Sequence, residues 1–285
     1  MYTTLISAAD LAARIDDPGW AIVDCRHDLA NLAFGREAYA AGHLPHAVFA
    51  DMESELSGAR HAQDGAFRGR HPLPEKEALV AVLRRWGVDD GTQVVAYDAH
   101  GGMFAARLWW LLRWIGHEAS AVLDGGLPAW QALGLPLSSD PPEPRRAGTI
   151  AVRAPFVPTV TVREVLDNIE NGRKTVVDAR AADRFRGENE TVDPVGGHIP
   201  GAKNRFFKDN LRDDGRFKAP AQLREEFEAL VRDPQDAIMQ CGSGVTACHN
   251  LLALEVAGMP GAALYPGSWS EWSSDPARPV AKGAA

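Results

Sequence analysis

The stretch Gln240-Cys241-Gly242-Ser243-Gly244-Val245-Thr246-Ala247 decides the fold. It follows the short apolar run Ala237-Ile238-Met239 and leads into a longer one, Cys248 to Ala257. A short apolar run, a glycine-rich turn and a longer apolar run predict a strand, a tight loop and a helix, in that order. Such a loop turns several backbone N–H groups toward one point, and the helix dipole adds partial positive charge there. Both effects favour S⁻ over SH for a cysteine at that point. Cys241 is therefore the expected nucleophile. The competing reading is a buried cysteine in a strand–helix turn, and the flanking Gly242 and Gly244 argue for the nucleophile.

Working outward, the elements around this loop occur twice. Thr175-Val176-Val177-Asp178-Ala179-Arg180 matches Ala21-Ile22-Val23-Asp24-Cys25-Arg26, and Gly197-His198-Ile199-Pro200-Gly201-Ala202 matches Gly42-His43-Leu44-Pro45-His46-Ala47. Ala237 to Cys241 falls on Val94 to Asp98. Several matches in one order indicate a tandem duplication. The expected domains are residues 1–137 and 159–285, joined by a proline-rich linker over 138–158 that holds Pro141, Pro142, Pro144, Pro155 and Pro158. In each copy short apolar strands alternate with helical stretches such as 75–86 and 104–115. The expected class is α/β, two tandem domains, each a mainly parallel sheet flanked by helices. The cysteine position of the first copy carries Asp98, so thiolate chemistry is expected only in the second. Glu53 to Pro74 reads as a long loop of the first copy, and its length suggests a functional role.

The chain has 285 residues and a formal net charge of −8. That balance argues against general nucleic-acid binding, which needs a basic face. Three cysteines, Cys25, Cys241 and Cys248, with no C-x-x-C pair, are neither a disulfide framework nor a zinc or thioredoxin-type site. No apolar stretch is long enough to span a membrane, and Met1 to Ser7 has no basic leader region. A reducing, cytoplasmic setting is the expectation. Asp24, Arg26, Asp178 and Arg180, and His43 and His198, recur in both copies and read as structural. Trp109, Trp110 and Trp114 read as core.

Together these features resemble the tandem-domain rhodanese family of sulfurtransferases over nearly the whole chain. The resemblance rests on Val177-Asp178-Ala179-Arg180, the Gly197 to Ala202 element, the Cys241 loop and Gly267-Ser268-Trp269-Ser270-Glu271-Trp272. It implies that Cys241 carries sulfur as a persulfide, without a metal or organic cofactor. Thiosulfate-preferring members have Arg and Lys after the cysteine, whereas Gly242 and Ser243 stand here. The loop is similar to that of the 3-mercaptopyruvate-using branch, with thiosulfate as the alternative donor. In that branch the resemblance makes Arg184 the clamp for the substrate carboxylate. The second clamp arginine, nine residues on, is replaced by Asp193, and Arg186 is a candidate substitute. The resemblance further implies a relay of Ser243, His71 and Glu53, and sulfur-binding N–H groups over Gly242, Ser243, Gly244, Val245 and Thr246. The expected partners are a small sulfur donor and an acceptor: a thioredoxin, a small thiol or cyanide.

Two other classes share part of this pattern. Cysteine phosphatases use a similar anion-cradling loop but need an arginine six residues after the cysteine, where this chain has Ala247. A sulfur-relay module without small-molecule turnover would keep Cys241 but pass sulfur to a dedicated partner.

Overall fold

The computed structural model describes residues 1–284. They form two compact units. The first holds Met1–Ser57, Pro74–Phe156 and Arg212–Phe217, and the second Gly58–Leu73, Val157–Leu211 and the chain from Lys218 onward.

In the first unit β1 (Leu5–Ile6), β2 (Trp20–Asp24), β3 (Val48–Phe49), β4 (Gln93–Tyr97) and β5 (Ser120–Leu123) make one sheet in the order β1-β5-β4-β2-β3. Every pairing is parallel. In the second unit β6 (Thr175–Asp178), β7 (Lys203–Asn204), β8 (Ala237–Gln240) and β9 (Ala263–Leu264) make a parallel sheet in the order β7-β6-β8-β9. β4 and β8 are interior strands, buried at every position. That explains why they read as continuous apolar runs rather than alternating ones. Asp24 pairs with Tyr97 and Asp178 with Gln240. The residue that follows each of these paired positions is Asp98 in one copy and Cys241 in the other, so the register itself carries the duplication.

The repeated polar residues brace each sheet to the turn that follows its first long strand. Arg26 forks onto Asp24 through Nε and Nη2 and donates to Gly42 O at 2.7 Å. Arg180 does the same with Asp178 and Gly197 O, also at 2.7 Å. Removing one partner of such a buried pair costs about 3–5 kcal/mol, because the other charge is left uncompensated. His43 stacks on Tyr39 at 3.9 Å and His198 on Phe185 at 3.8 Å. Each holds a carbonyl of its own copy with Nδ1, at 2.8 Å. Trp109, Trp110, Trp269 and Trp272 are fully buried. Trp269 and Trp272 donate their indole N–H to Val195 O and Pro279 O.

Three segments cluster differently from the expected division, among them Arg212–Phe217, which groups with the first unit. Residues 58–73 cluster with the second unit, although they precede most of the first in sequence. Gly58 N–H bonds to Pro72 O, and Arg70 N–H bonds to Ser270 Oγ at 3.0 Å. The proline-rich stretch clusters with the first unit up to Phe156. Ile150 is buried there, and its carbonyl accepts from Arg84 Nε at 2.9 Å. Among the described residues no helix is long and apolar enough to cross a membrane.

Candidate active site

The Cys241 loop lies wholly in the second unit, between β8 and the helix Thr246–Val256. Two of its carbonyls are tied down by hydrogen bonds. Trp269 N–H donates to Cys241 O and Ser270 N–H to Gly242 O, each at 2.9 Å. Cys241 N–H donates to Ser268 Oγ at 3.1 Å. With the carbonyls engaged elsewhere, the loop can present N–H groups inward, and Gly244 N–H lies 3.2 Å from Cys241 Sγ. Gly244 has φ +78°, and a Cβ there would lie 2.4 Å from Pro266 O. Only glycine satisfies both conditions. Cys241 is 2% exposed and holds the position expected of a nucleophile at a helix start.

The first copy shows what this loop binds when a permanent anion is built into it. The Asp98 carboxylate accepts N–H bonds from His100 and Gly102 on one oxygen and from Phe104 and Ala105 on the other, at 2.7–3.0 Å. A carboxylate oxygen and the outer sulfur of a persulfide are both two bonds from Cβ. Asp98 is thus a steric counterpart of the charged terminus that Cys241 would carry.

Ser243 and His71 meet in the second unit, Oγ to Nδ1 at 2.7 Å, and both are buried. Glu53 belongs to the first unit, where its carboxylate lies 3.7 Å from Nε2 of His27. Desolvation pushes the His27 pKa down, against the opposing pull of Glu53 and two further carboxylates. The other cysteines have different surroundings. Burial pushes the Cys25 thiol well up, and the charges of Asp24, Asp98 and Glu55 push the same way. Cys248 is buried, and its Sγ lies 3.3 Å from Gly244 O.

Arg184 stands on the short helix Ala182–Arg186. Its Nε and Nη2 bind the Glu190 carboxylate at 2.7–3.1 Å, and Nη2 also lies 3.3 Å from Asp193 Oδ2. Arg180 Nη1 reaches the same Glu190 at 3.3 Å. Burial works against charge on Glu190. Arg184 and the N–H groups of Val192 and Asp193 outweigh it and hold the carboxyl below its ordinary range. Arg186 points its fork at Glu188, two residues on, at 2.7 and 2.8 Å. It does not supply the second guanidinium beside Arg184. Arg70 does: a Cβ built on Gly242 would lie 3.2 Å from Arg70 Nη2 and 3.9 Å from both Arg184 Nη atoms. Sequence reasoning missed Arg70, Glu190 and Asp193 as one cluster. The available signal was the three acids Glu188, Glu190 and Asp193 within nine residues after Arg184, and a further arginine, Arg70, directly before His71.

Two parallel α/β repeats with a cysteine-bearing loop after an interior strand define the class. The rhodanese-like domain matches residues 7–133 and again 161–275, and the chain belongs to that family. A Pseudomonas aeruginosa protein named "Probable 3-mercaptopyruvate sulfurtransferase" is 46% identical, over 98% of either chain. The thiosulfate sulfurtransferase of Bos taurus is 34% identical over 95% of this chain and 92% of its own. The structure of the 3-mercaptopyruvate sulfurtransferase from Leishmania major superposes with a TM-score of 0.83 at 31% identity, covering 95% of this chain and 74% of that one.

Proposed function

We propose that this protein is a sulfurtransferase that takes sulfur from 3-mercaptopyruvate and passes it, through a Cys241 persulfide, to a thiol or to cyanide. One observation carries the reading. Gly244 N–H is directed at Cys241 Sγ, and the next residue, Gly242, faces the Arg184 guanidinium. The proposed nucleophile and a guanidinium suited to a carboxylate thus both lie beside Gly242. A short keto acid with sulfur at one end and carboxylate at the other suits that spacing.

In the first half-reaction the Cys241 thiolate attacks the donor sulfur. The S–S bond forms as the donor's S–CH₂ bond breaks, and the bonding pair leaves on carbon as the enolate of pyruvate. The enolate takes up one proton to give pyruvate. The Ser243 hydroxyl, hydrogen-bonded to His71, is the group proposed to deliver or relay it. The N–H groups of the loop hold the anionic outer sulfur. In the second half-reaction an acceptor thiolate or cyanide attacks that sulfur. The S–S bond to Cys241 breaks and the thiolate returns. No metal or organic cofactor enters the scheme. A small thiol or a thioredoxin in the cytoplasm is the proposed acceptor.

Thiosulfate is the second reading. Two guanidiniums at Gly242 could also hold a dianion, and the bovine relative bears that activity in its name. Comparing kcat/KM for the two donors at equal acceptor concentration separates them. The reading expects mercaptopyruvate to be preferred by at least about tenfold, and a preference for thiosulfate overturns it. Phosphatase activity lacks support, because Ala247 stands where the phosphoryl-clamping arginine would be required.

A further inference from the structure

The helix Thr246–Val256 carries a polar cluster that the reaction scheme does not use. Asn210, His249 and Asn250 are all fully buried. Asn210 ends the short turn Phe207–Asn210, and His249 and Asn250 lie near the start of the helix. Asn210 Oδ1 accepts from Arg205 Nε and Nη2, each at 3.1 Å. An arginine only donates, so the amide nitrogen of Asn210 faces the other way. That nitrogen donates to Asn250 Oδ1 at 2.7 Å and lies 3.2 Å from His249 Nδ1. Asn250 Nδ2 in turn donates to Arg205 O at 3.0 Å. Each amide orientation is thus fixed by its neighbours, and His249 Nδ1 is an acceptor. The Phe207 ring meets the imidazole edge-on at 5.4 Å. Arg205 is itself tied to the sheet, because its N–H donates to Asp178 O at 2.9 Å.

Two observations connect this cluster with the nucleophile. Cys248, the residue before His249, brings its Sγ to 3.3 Å from Gly244 O, and the N–H of the same Gly244 lies 3.2 Å from Cys241 Sγ. A shift of the helix is therefore passed through one residue to the group that faces the sulfur. The first copy is built differently. With Asp98 in the place of Cys241, His249 and Asn250 fall on Ala106 and Arg107. Arg107 is also buried, but its guanidinium lies 3.4 Å from the carbonyl of Leu56. The paired amides and the imidazole belong to the copy whose anion has to form by loss of a proton. Satisfied buried amides add little net stability over an apolar core of the same shape, but they admit few arrangements.

We propose that Asn210 and Asn250 are positioning residues for sulfur transfer: with His249 they fix the setting of the helix Thr246–Val256, and through it the aim of Gly244 N–H at Cys241 Sγ. The inference rests on Cys241 as the nucleophile. Neither asparagine touches the reacting sulfur. Arg205 supplies the fixed point on the sheet, and the two amides carry that point to the helix. Without them the first turn relaxes, the N–H of Gly244 withdraws from the sulfur, and the thiolate loses a charge-assisted hydrogen bond. Its proton then leaves less readily. The groups that would bind the donor carboxylate lie elsewhere and stay in place.

The test reads Cys241 itself, through its alkylation by iodoacetamide in the full-length protein, followed against pH by peptide mass spectrometry. Asn250→Leu removes the polar tie and keeps the core filled. Asn210→Asp keeps an acceptor for Arg205 and removes both donations at nearly unchanged size, so it carries the test if the leucine variant does not fold. Each should move the pH–rate profile of alkylation upward by about one unit, a roughly tenfold loss of rate at neutral pH. kcat for pyruvate release should fall by a similar factor, while KM for 3-mercaptopyruvate stays within about twofold. A cluster that only supports the fold would lower the melting temperature and leave the profile where it was. An unshifted profile in Asn210→Asp overturns the proposal. If wild-type turnover survives complete alkylation of Cys241, the nucleophile reading fails and the proposal falls with it.

Discussion

The Ser243 hydroxyl and the His71 imidazole lie 2.7 Å apart, buried in one unit, although 172 positions separate them in sequence. Two polar groups so placed act as one device if they move a proton together. Ser243→Ala and His71→Ala should each lower kcat for pyruvate release by about 100-fold, the lower end of the range for general acid–base catalysis. The double variant should be no slower than the slower single one, since either change alone disables the pair. Additive losses measured by steady-state pyruvate release would show that the two residues act separately.

The two glycines beside Cys241 should respond differently to alanine. At Gly244 the added methyl meets Pro266 O at 2.4 Å on a backbone with φ +78°. At Gly242 it meets the ends of two flexible side chains, Arg70 Nη2 at 3.2 Å and the Arg184 Nη atoms at 3.9 Å. Gly244→Ala should lower kcat/KM by more than about 100-fold and destabilise the fold by roughly 2–3 kcal/mol, through steric conflict and a strained φ. Gly242→Ala should change KM by about 2- to 5-fold, the effect of a small displacement of one guanidinium. Paired kinetics and urea denaturation check both, and equal effects would contradict the loop geometry.

Asp98 should be a stability residue. Its carboxylate satisfies four backbone N–H groups in a buried loop. Asp98→Ala leaves those donors without an acceptor and should cost about 3–5 kcal/mol. Asp98→Asn retains one acceptor oxygen and should fall between the alanine variant and wild type. Denaturant titration of the three proteins gives the order directly, and a neutral Asp98→Ala would contradict this role.

Glu190 should give the second unit a pH-dependent part of its stability. Its folded carboxyl lies below the ordinary range, so the sign is fixed. The contribution is fully present above the unfolded pKa and is lost as pH falls through the lower folded value. Glu190→Gln should therefore be destabilised by about 2 kcal/mol near neutrality, and the gap to wild type should close as pH is lowered through the acid range. Thermal melts of both proteins from neutral pH downward test this. A gap that widens toward acid would reverse the assignment.

Much of this architecture can be read in the residues, because buried parallel strands print as continuous apolar runs and a duplicated pattern repeats them. Val94 to Tyr97 and Ala237 to Met239 carry that signal, and β4 and β8 differ from it by one residue each. The two-residue strand β1 is too short to show a period. The helix Phe34–Ala41 was hidden by Gly35, which reads as a breaker. A Cβ at Gly35 would lie 2.0 Å from Arg26 O, so the glycine serves a close backbone approach that local propensity does not encode. The site was legible where chemistry sits in one contiguous loop, as at Cys241 and Gly244. It was not legible where partners come from distant segments. Asp193 read as a defect in the clamp because its partner, Arg70, lies 123 positions away.

The most direct test of the central claim is to map the transferred sulfur by intact-mass and peptide mass spectrometry after a single exposure to 3-mercaptopyruvate without acceptor. The account predicts a gain of one sulfur atom per chain on the peptide containing Cys241, its release as thiocyanate on adding cyanide, and no gain in Cys241→Ser. Sulfur found on Cys25 or Cys248, or pyruvate turnover that persists in Cys241→Ser, would contradict it.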